Sequence, residues 1–336
     1  MHGQDFEPIR KFDPSLKRQA LTVSLHTHSW IDAFSLEDDL AKVRVITDSN
    51  ARFENPQVVK QLNITVVPNL IRFGSETWEE DSDIDSQAIL ERLRAGMEPP
   101  EIIPPTVEAF EEIYETLSRT TDQMLVVTHS SAFSDTYAHA QTARSSLLGR
   151  CEITVIDSRT TSATLGYLVE LTATAAQANQ PLESVVHLAR GIVPRLYSVF
   201  YVNKLDSIQK AGLIEETQSI LGTMLEIKPL ITIEDGTLIT MEKARTHTRA
   251  IDKMMEFVCE FTHIERLCIL QGTRRITETT RMLQDRLALE FARMQAPVML
   301  LDPLLAARLG PECMGMAILE GTGKDNLDFN YSNPGN

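Results

Sequence analysis

The chain has 336 residues, more than one hydrophobic core usually fills, so its length predicts two domains. Hydrophobic residues make up 43% and charged residues 24%, which is typical of a folded globular protein and argues against disorder. The 47 acidic and 32 basic residues give a net charge of -15, which would repel a phosphate backbone and argues against a nucleic-acid partner.

Cysteine spacing and the hydrophobic pattern bear on the compartment. The cysteines are widely separated without a CxxC pair, so we expect buried free thiols in a reducing compartment and no metal site. The N-terminal sequence lacks the apolar core of a secretory signal, and the sequence contains no uninterrupted apolar run of membrane-spanning length. We therefore expect a cytoplasmic protein with at most transient membrane contact. The four cysteines are Cys151, Cys259, Cys268 and Cys313.

Residues 1–42 are interpreted as an N-terminal extension, and residues 43–194 as a first α/β domain. Short β-branched strands alternate there with amphipathic helices, which favours parallel pairing in a mostly parallel sheet with helices on both faces. The expected elements, in order, are the strand KVRVITDS, the helix NPQVVKQLN, the strand ITVVPNLIRF, the helix SQAILERLRAGM, the turn EPPEIIPPT, the helix VEAFEEIYETLSR, the strand QMLVVTHS, the helix TYAHAQTARSSLLG, the strand CEITVIDS and a helix from about Thr160.

Residues 195–321 are expected to form a smaller C-terminal α/β domain, and residues 322–336 a polar tail. The boundary is placed near Pro194, where the regular strand and helix alternation changes. The segment LITIEDGTLITMEKA alternates around EDG, which predicts a two-stranded hairpin. The pattern changes from Pro181 with the long helix LESVVHLARGIVPRL, which reaches this boundary. The other expected elements are the strand YSVFYVN, a helical stretch containing LGTMLEIKP, a second helix, the strand ERLCILQGT, another helix and the strand APVMLLDP.

Polar clusters follow three of the predicted strands. They span Thr47 to Asn50, Thr128 to Thr136 and Asp157 to Ser162. Because the carboxyl ends of parallel strands share one edge of a sheet, we expect these loops to meet at one crevice. Ser, Thr and Asp at these positions are equally expected as helix N-caps, and a capped helix N-terminus is itself an anion site.

A catalytic interpretation would pair Ser130 or Ser131 with His129 and Asp157 as an ester-hydrolysing triad. Two sequence features weigh against it. The GxSxG motif that exposes such a serine is missing from the sequence, and adjacent strand residues point to opposite faces. The phosphate-binding patterns GxGxxG and GxxxxGKS are also missing, so nucleotide chemistry is not indicated.

Six segments occur in order between Val43 and Gly321: ITDS, ITVVP, THSSAFSDTYAHA, VIDS, EIKPLITIEDGTL and GPECMG. The third, fifth and sixth are similar to the patterns hSSxLSGTYxxA, xIKPIxxxxDGxL and GPGAxG, and with all six in this order the chain resembles the DegV family of bacterial fatty-acid-binding proteins. Each segment is modest alone, but six in the right order over most of the chain form a specific signal.

The resemblance implies two α/β domains, with a fatty acid tail in a tunnel and its carboxylate held by hydroxyl groups between the domains. Ser134 matches the serine of the SGT motif, and Thr136 matches its threonine although Asp135 replaces the glycine. Ser49 and Ser131 are further candidates from the matching segments. The bound fatty acid would be the ligand, and no cofactor is implied.

Several positions depart from the family pattern. The TSQPS segment, whose threonine helps to bind the carboxylate, aligns with EIIPPT, so Glu101 or Ile102 replaces that hydroxyl and Thr106 is the nearest substitute. Leu213 stands where the family has an arginine. Arg308 stands in place of a histidine, and an arginine could bind a carboxylate with two hydrogen bonds.

The sequence thus favours a non-catalytic protein that binds a long-chain fatty acid or related acyl lipid. By resemblance it could present the carboxylate to a separate ATP-binding fatty acid kinase subunit. Two alternatives remain open: an esterase using Ser130, His129 and Asp157, and a regulatory module that has lost lipid binding.

Overall fold

The computed structural model describes residues 43–210, 212, 227–291, 294 and 296–322. Four sequence predictions lie outside these ranges. They concern the N-terminal extension, the polar tail, Leu213 and most of the helical stretch LGTMLEIKP.

The first sheet is parallel throughout and has the strand order β2-β1-β6-β7 within the described residues. Ile46 and Val126 pack on one face against helices α3 and α4, whereas Val45 and Leu125 pack on the other against α5 and α6. This alternation follows from the period of two along a strand, and it confirms the fold class predicted from the sequence. The elements are β1 (Arg44–Asp48), β2 (Thr65–Val67), β6 (Gln123–Thr128), β7 (Glu152–Asp157), α3 (Val107–Leu117), α4 (Thr136–Ala143), α5 (Ser162–Gln177) and α6 (Leu182–Ile192).

A small antiparallel sheet with the order β4-β3-β5 corrects two sequence predictions. The segment ITVVPNLIRF is not one strand, because Pro68 has no N–H for the ladder and the chain leaves the parallel sheet there. The expected turn EPPEIIPPT contains a three-residue strand. The elements of this region are α1 (Gln57–Gln61), β3 (Leu70–Phe73), β4 (Glu76–Glu79), α2 (Ser86–Arg94) and β5 (Glu101–Ile103).

The second large sheet has the order β10-β9-β8-β13-β11-β12 and is antiparallel except for the pair β11 and β12. The hairpin predicted at EDG is confirmed: Asp235 and Gly236 have φ angles of 47° and 84°, as a tight hairpin turn requires. The elements are β8 (Leu196–Tyr201), α7 (Leu205–Lys210), β9 (Lys228–Glu234), β10 (Thr237–Ala244), α8 (His247–Cys259), β11 (Ile264–Gln271), α9 (Glu278–Glu290), β12 (Val298–Leu300), α10 (Pro303–Leu309) and β13 (Met314–Glu320).

Helix α5 contacts β1 of the first sheet and β8 and β13 of the second, so one apolar helix serves both cores. Its side chains are buried around most of its circumference, which explains its weak amphipathic pattern. The boundary predicted near Pro194 falls in a short 3₁₀ turn, Val193–Arg195, between α6 and β8. The division into two domains stays a prediction.

Two further observations concern the compartment. Cys268 and Cys313 are buried, but Cys151 is half-buried and Cys259 is exposed, so burial of all four thiols was wrong. Throughout the described ranges, every helix is too short or too polar to cross a membrane.

Candidate ligand-binding site

A buried pair of ionisable groups lies where two neighbouring parallel strands end. Asp48 is the last residue of β1, and His129 follows the last residue of β6. Asp48 Oδ2 lies 3.0 Å from His129 Nδ1 and accepts the His129 backbone N–H at 2.8 Å. Asn50 Nδ2 donates to Asp48 Oδ1 at 2.9 Å and also lies 3.0 Å from His129 Nδ1.

Each member of this pair stabilises the charge of the other. Burial alone would raise the pKa of Asp48, but the neighbouring His129 and its hydrogen bonds bring that pKa below its usual value. Burial alone would lower the pKa of His129, but Asp48 raises it above the usual value of 6.5. Each group therefore favours the charged form of the other, carboxylate for Asp48 and imidazolium for His129.

The other imidazole nitrogen contacts Ser134, which precedes helix α4. His129 Nε2 lies 2.8 Å from Ser134 Oγ, and Ser134 Oγ lies 2.9 Å from the buried Thr136 Oγ1. Ser134 Oγ also accepts the backbone N–H of Thr136 at 3.3 Å, while Asp135 at the N-cap makes no side-chain capping bond. Ser134 thus belongs to both the helix start and a continuous polar chain that begins at Asp48.

A cavity of about 350 Å³ opens onto this chain, within the size range of small-molecule sites. His129 and Ser134 form part of its polar wall, together with Asn69. Its apolar wall comes from β5 and the prolines on both sides of it, from the loop before α4, and from helix α10. The remaining lining residues are Pro99, Pro100, Ile102, Pro104, Phe133, Lys210, Leu304, Ala307 and Arg308.

Arg308 brings a second cation to the cavity from helix α10. Its Nη2 donates to the carbonyl oxygen of Phe133 at 3.2 Å, and its guanidinium lies 5.2 Å from the centre of the Phe133 ring. Burial lowers its pKa, but a guanidinium stays protonated in proteins. Within the described residues no carboxylate pairs with it, whereas Lys210 pairs with Glu98 at 2.5 Å. The cavity therefore has positive character that an anionic group could neutralise.

The sequence candidates fall into two groups. Ser134 and Arg308 line the cavity and Thr136 contacts Ser134, so the structure brings these three together. Ser131 is exposed and donates to Asp157 at 2.5 Å, and Thr106 is exposed and caps helix α3. Both lie outside the set of residues that line the cavity.

Ser49 lies behind the cavity wall in a buried polar network. It donates to Glu80 Oε2 at 2.6 Å and accepts the backbone N–H of the lining residue Asn69 at 2.9 Å. Asn69 Nδ2 donates to the same Glu80 oxygen at 2.9 Å, and Arg52 forms an ion pair with Glu80. Ser49 can thus act on a ligand only through Asn69.

The hydrolase triad proposed from the sequence does not form. Its three residues, Ser130, His129 and Asp157, make other contacts. Ser130 Oγ donates to the carbonyl oxygen of Gly236 at 2.8 Å, and Asp157 accepts from Ser131. The side chains of consecutive residues at a strand end diverge, which takes Ser130 away from the imidazole. His129 instead joins Asp48 and Ser134.

Asp48 and Asn69 were missed as individual site residues by the sequence reasoning. Asp48 stood in the cluster after the first strand, and pairing of β1 with β6 in parallel would have placed it beside His129. Asn69 carried no such signal, because its position depends on the change of sheet at Pro68.

Fold and site together define a class: an α/β protein with two large sheets and a cavity at the carboxyl edge of the parallel one. The family model described as "uncharacterised protein, DegV family" matches residues 42–321, and the chain belongs to this family. A DegV domain-containing protein of Halalkalibacterium halodurans is 25% identical over 283 residues, covering 83% of this chain and 98% of the relative.

Solved structures show the same fold. A fatty-acid-binding DegV family protein of Thermus thermophilus has a TM-score of 0.72 and 23% identity, covering 83% of this chain and 100% of that one. The fatty acid kinase B3 protein of Streptococcus pneumoniae, loaded with linoleic acid, has a TM-score of 0.69 and 20% identity over 83% of this chain and 100% of its own.

Proposed function

We propose that this protein is a non-catalytic carrier of a long-chain fatty acid or related acyl lipid. The observation that carries the proposal is the cavity in which Ser134 and Arg308 stand beside apolar side chains. Such a combination suits an amphiphile with an anionic head. The fold neighbours that bind fatty acids support the choice of ligand.

The head group would lie against Ser134 and Arg308. A carboxylate taken out of water must recover hydrogen bonds, or it becomes protonated. The Ser134 hydroxyl and the Arg308 guanidinium are donors for it, and an arginine can hold both carboxylate oxygens at once. Thr136 would hold the Ser134 hydroxyl in place rather than touch the ligand.

The tail would supply most of the affinity. Burial of an acyl chain contributes on the order of 0.8 kcal/mol per methylene, so about sixteen methylenes contribute about 12 kcal/mol before ordering costs. We place the tail in a tunnel that continues from the cavity between the two large sheets. Affinity would then follow chain length, and orientation would follow the head group.

We further propose a partner and a setting. The fatty acid kinase B3 protein of Streptococcus pneumoniae is a fold neighbour, which supports a role as the lipid-carrying subunit of such a kinase. ATP would bind to a separate subunit, so this chain would need no cofactor. We place the protein in the cytoplasm.

The test is direct. The purified protein is extracted with organic solvent and the extract is analysed by mass spectrometry, followed by thermal melting with added fatty acids. We expect about one acyl lipid per chain, and a rise in melting temperature with ligand concentration. No acyl lipid and no thermal shift would reject the carrier function.

A serine hydrolase is the second candidate, because Asp48, His129 and Ser134 occur in the order of an orienting acid, a base and a nucleophile. The upward shift of the His129 pKa weighs against this function, because the charged imidazole donates from Nε2 to Ser134 and cannot remove its proton. Labelling with a fluorophosphonate separates the two functions. A carrier stays unlabelled, whereas a hydrolase is labelled at Ser134.

A further inference from the structure

We propose that His129 is a positioning residue that couples ligand affinity to pH: its charged form frees the Ser134 hydroxyl for an anionic head group, and its neutral form withdraws it. This inference rests on the proposed function, because it concerns the same cavity. It adds a means of loading and release that depends on protonation.

The coupling follows from the hydrogen-bond geometry of His129. In the charged imidazole both ring nitrogens donate, Nδ1 toward Asp48 at 3.0 Å and Nε2 to Ser134 Oγ at 2.8 Å. Ser134 Oγ then accepts from the ring, and with Thr136 Oγ1 as the donor in their 2.9 Å contact the single proton of Ser134 is available to the ligand. The charged form thus prepares a donor at the cavity wall.

Deprotonation reverses the bond between His129 and Ser134. Asp48 Oδ2 holds the proton on Nδ1, and the Asn50 amide then turns its oxygen, which has no other partner among the described residues, toward that proton. The neutral ring therefore becomes an acceptor at Nε2. The Ser134 hydroxyl then donates to His129 and presents only lone pairs to the cavity. An anionic head group loses one hydrogen bond and meets a partial negative charge instead.

The charges around His129 come from three other elements. Asp48 ends β1, Asp157 ends β7, and Asp302 precedes α10; all three raise the His129 pKa against the opposing effect of burial. Arg308 faces the same cavity and keeps its charge throughout the titration. Loss of the His129 charge should therefore weaken binding without abolishing it.

The first experiment measures the dissociation constant of the full-length protein between about pH 6 and about pH 9, which starts near the ordinary histidine pKa and extends in the direction of the His129 shift. A long-chain fatty acid and a long-chain alkyl sulfonate are titrated in parallel, because the sulfonate keeps its charge throughout. We expect binding of both ligands to weaken about tenfold as pH rises, the equivalent of one hydrogen bond to a charged group.

Variants separate the effect that passes through the hydrogen bond between His129 and Ser134 from a direct effect of the imidazole charge on the ligand. In Ser134→Ala we expect weak binding that no longer depends on pH, because that hydrogen bond is absent. His129→Gln should also give a flat profile. His139→Gln is the matched control, since His139 contacts the carbonyl oxygen of Pro105 outside the cavity and should leave the wild-type profile intact.

The outcomes are distinct. Wild-type binding that is constant with pH overturns this inference and leaves the proposed function standing. Full pH dependence in a folded Ser134→Ala protein also overturns it, because the charge would then act directly. If neither ligand binds at any pH, both the proposed function and this inference fail. Circular dichroism at both ends of the pH range checks the fold of each variant.

Discussion

The carboxylate of Asp48 and the imidazole of His129 form a buried ion pair, in which Nδ1 and Oδ2 are 3.0 Å apart and the side chains are 0% and 2% exposed. The register of two parallel strands creates this pair, because Thr47 of β1 lies opposite Val127 of β6. Asp48 therefore lies level with Thr128, one residue before His129, at the edge of the sheet.

Replacement of Asp48 by Asn should destabilise the protein by about 3 kcal/mol near neutral pH, because it leaves His129 without its counter-ion. Because the pKa of Asp48 is lowered in the folded state, its contribution to stability is lost as pH falls through that lowered pKa. Because the pKa of His129 is raised in the folded state, its contribution is lost as pH rises through that raised pKa. The loss should thus be largest between about pH 4 and about pH 6.5. Urea unfolding across pH tests this, with Asp135→Asn as an exposed control.

Two serines three residues apart provide a matched pair for binding. Ser134→Ala should weaken binding of a fatty acid about tenfold near pH 6, since it removes a donor to a charged group. Ser131→Ala should leave affinity unchanged, because Ser131 is exposed and bonded to Asp157 outside the cavity. Calorimetric titration measures both. Equal losses in the two variants would contradict the assignment of the head group to Ser134.

Arg308→Met should discriminate between charged and neutral ligands. We expect at least a tenfold loss of affinity for a fatty acid, because a desolvated carboxylate loses a charged donor. Affinity for the fatty alcohol of the same chain length should change far less, since its tail contacts are the same. Fluorescence displacement measures both constants. Arg144→Met, on an exposed helix surface, is the control for loss of charge alone.

Glu80 should make stability fall as pH rises. Burial raises its pKa to about 7, although the Arg52 guanidinium opposes this. The folded state therefore binds more protons than the unfolded state between about pH 4.5 and about pH 7, and stability declines by on the order of 2 to 3 kcal/mol over that window. Glu80→Gln should remove this decline in chemical unfolding curves. The exposed Glu76→Gln should retain it.

Gly236 should tolerate a side chain poorly for two reasons. Its φ of 84° disfavours any other residue, and an added Cβ would lie 2.4 Å from Ser130 Oγ. Gly236→Ala should therefore cost more than the roughly 1 to 2 kcal/mol of a left-handed conformation alone. Gly74→Ala isolates that conformational cost, since Gly74 has a φ of 60° and an added Cβ meets nothing within 4 Å. Thermal unfolding of the two variants gives the difference.

Much of the parallel sheet could be predicted, because its strands are apolar runs that end in polar residues and alternate with amphipathic helices. Ser134 could also be predicted as a site residue from the sequence, since it lies between a predicted strand and a predicted helix. The partner of His129 could not be chosen from the sequence, because three acidic residues follow or end strands at the same edge. Strand register places both Asp48 and Asp157 beside the end of β6, and only the path of the following loop, which turns Ser131 to Asp157, leaves Asp48 to His129.

The small antiparallel sheet was the main failure of prediction. ITVVPNLIRF has the β-branched content of a single strand, and only the effect of Pro68 on hydrogen bonding divides it. Without that division Asn69 could not be placed at the cavity, and Glu80 could not be placed behind it. Ile102 was assigned to a turn for the same reason, since β5 pairs with a strand that was not expected.

Helix α5 has a consequence for any attempt to divide this protein. A fragment that ends at the turn of residues 193–195 would expose the surface of α5 that packs on β8 and β13, and would lack Arg308 with the rest of α10. It would also leave the Ser130 hydroxyl without the Gly236 carbonyl oxygen that accepts its hydrogen bond. Such a fragment would be prone to aggregate and its cavity would be open on one side, so the smallest unit that can carry a ligand spans both large sheets.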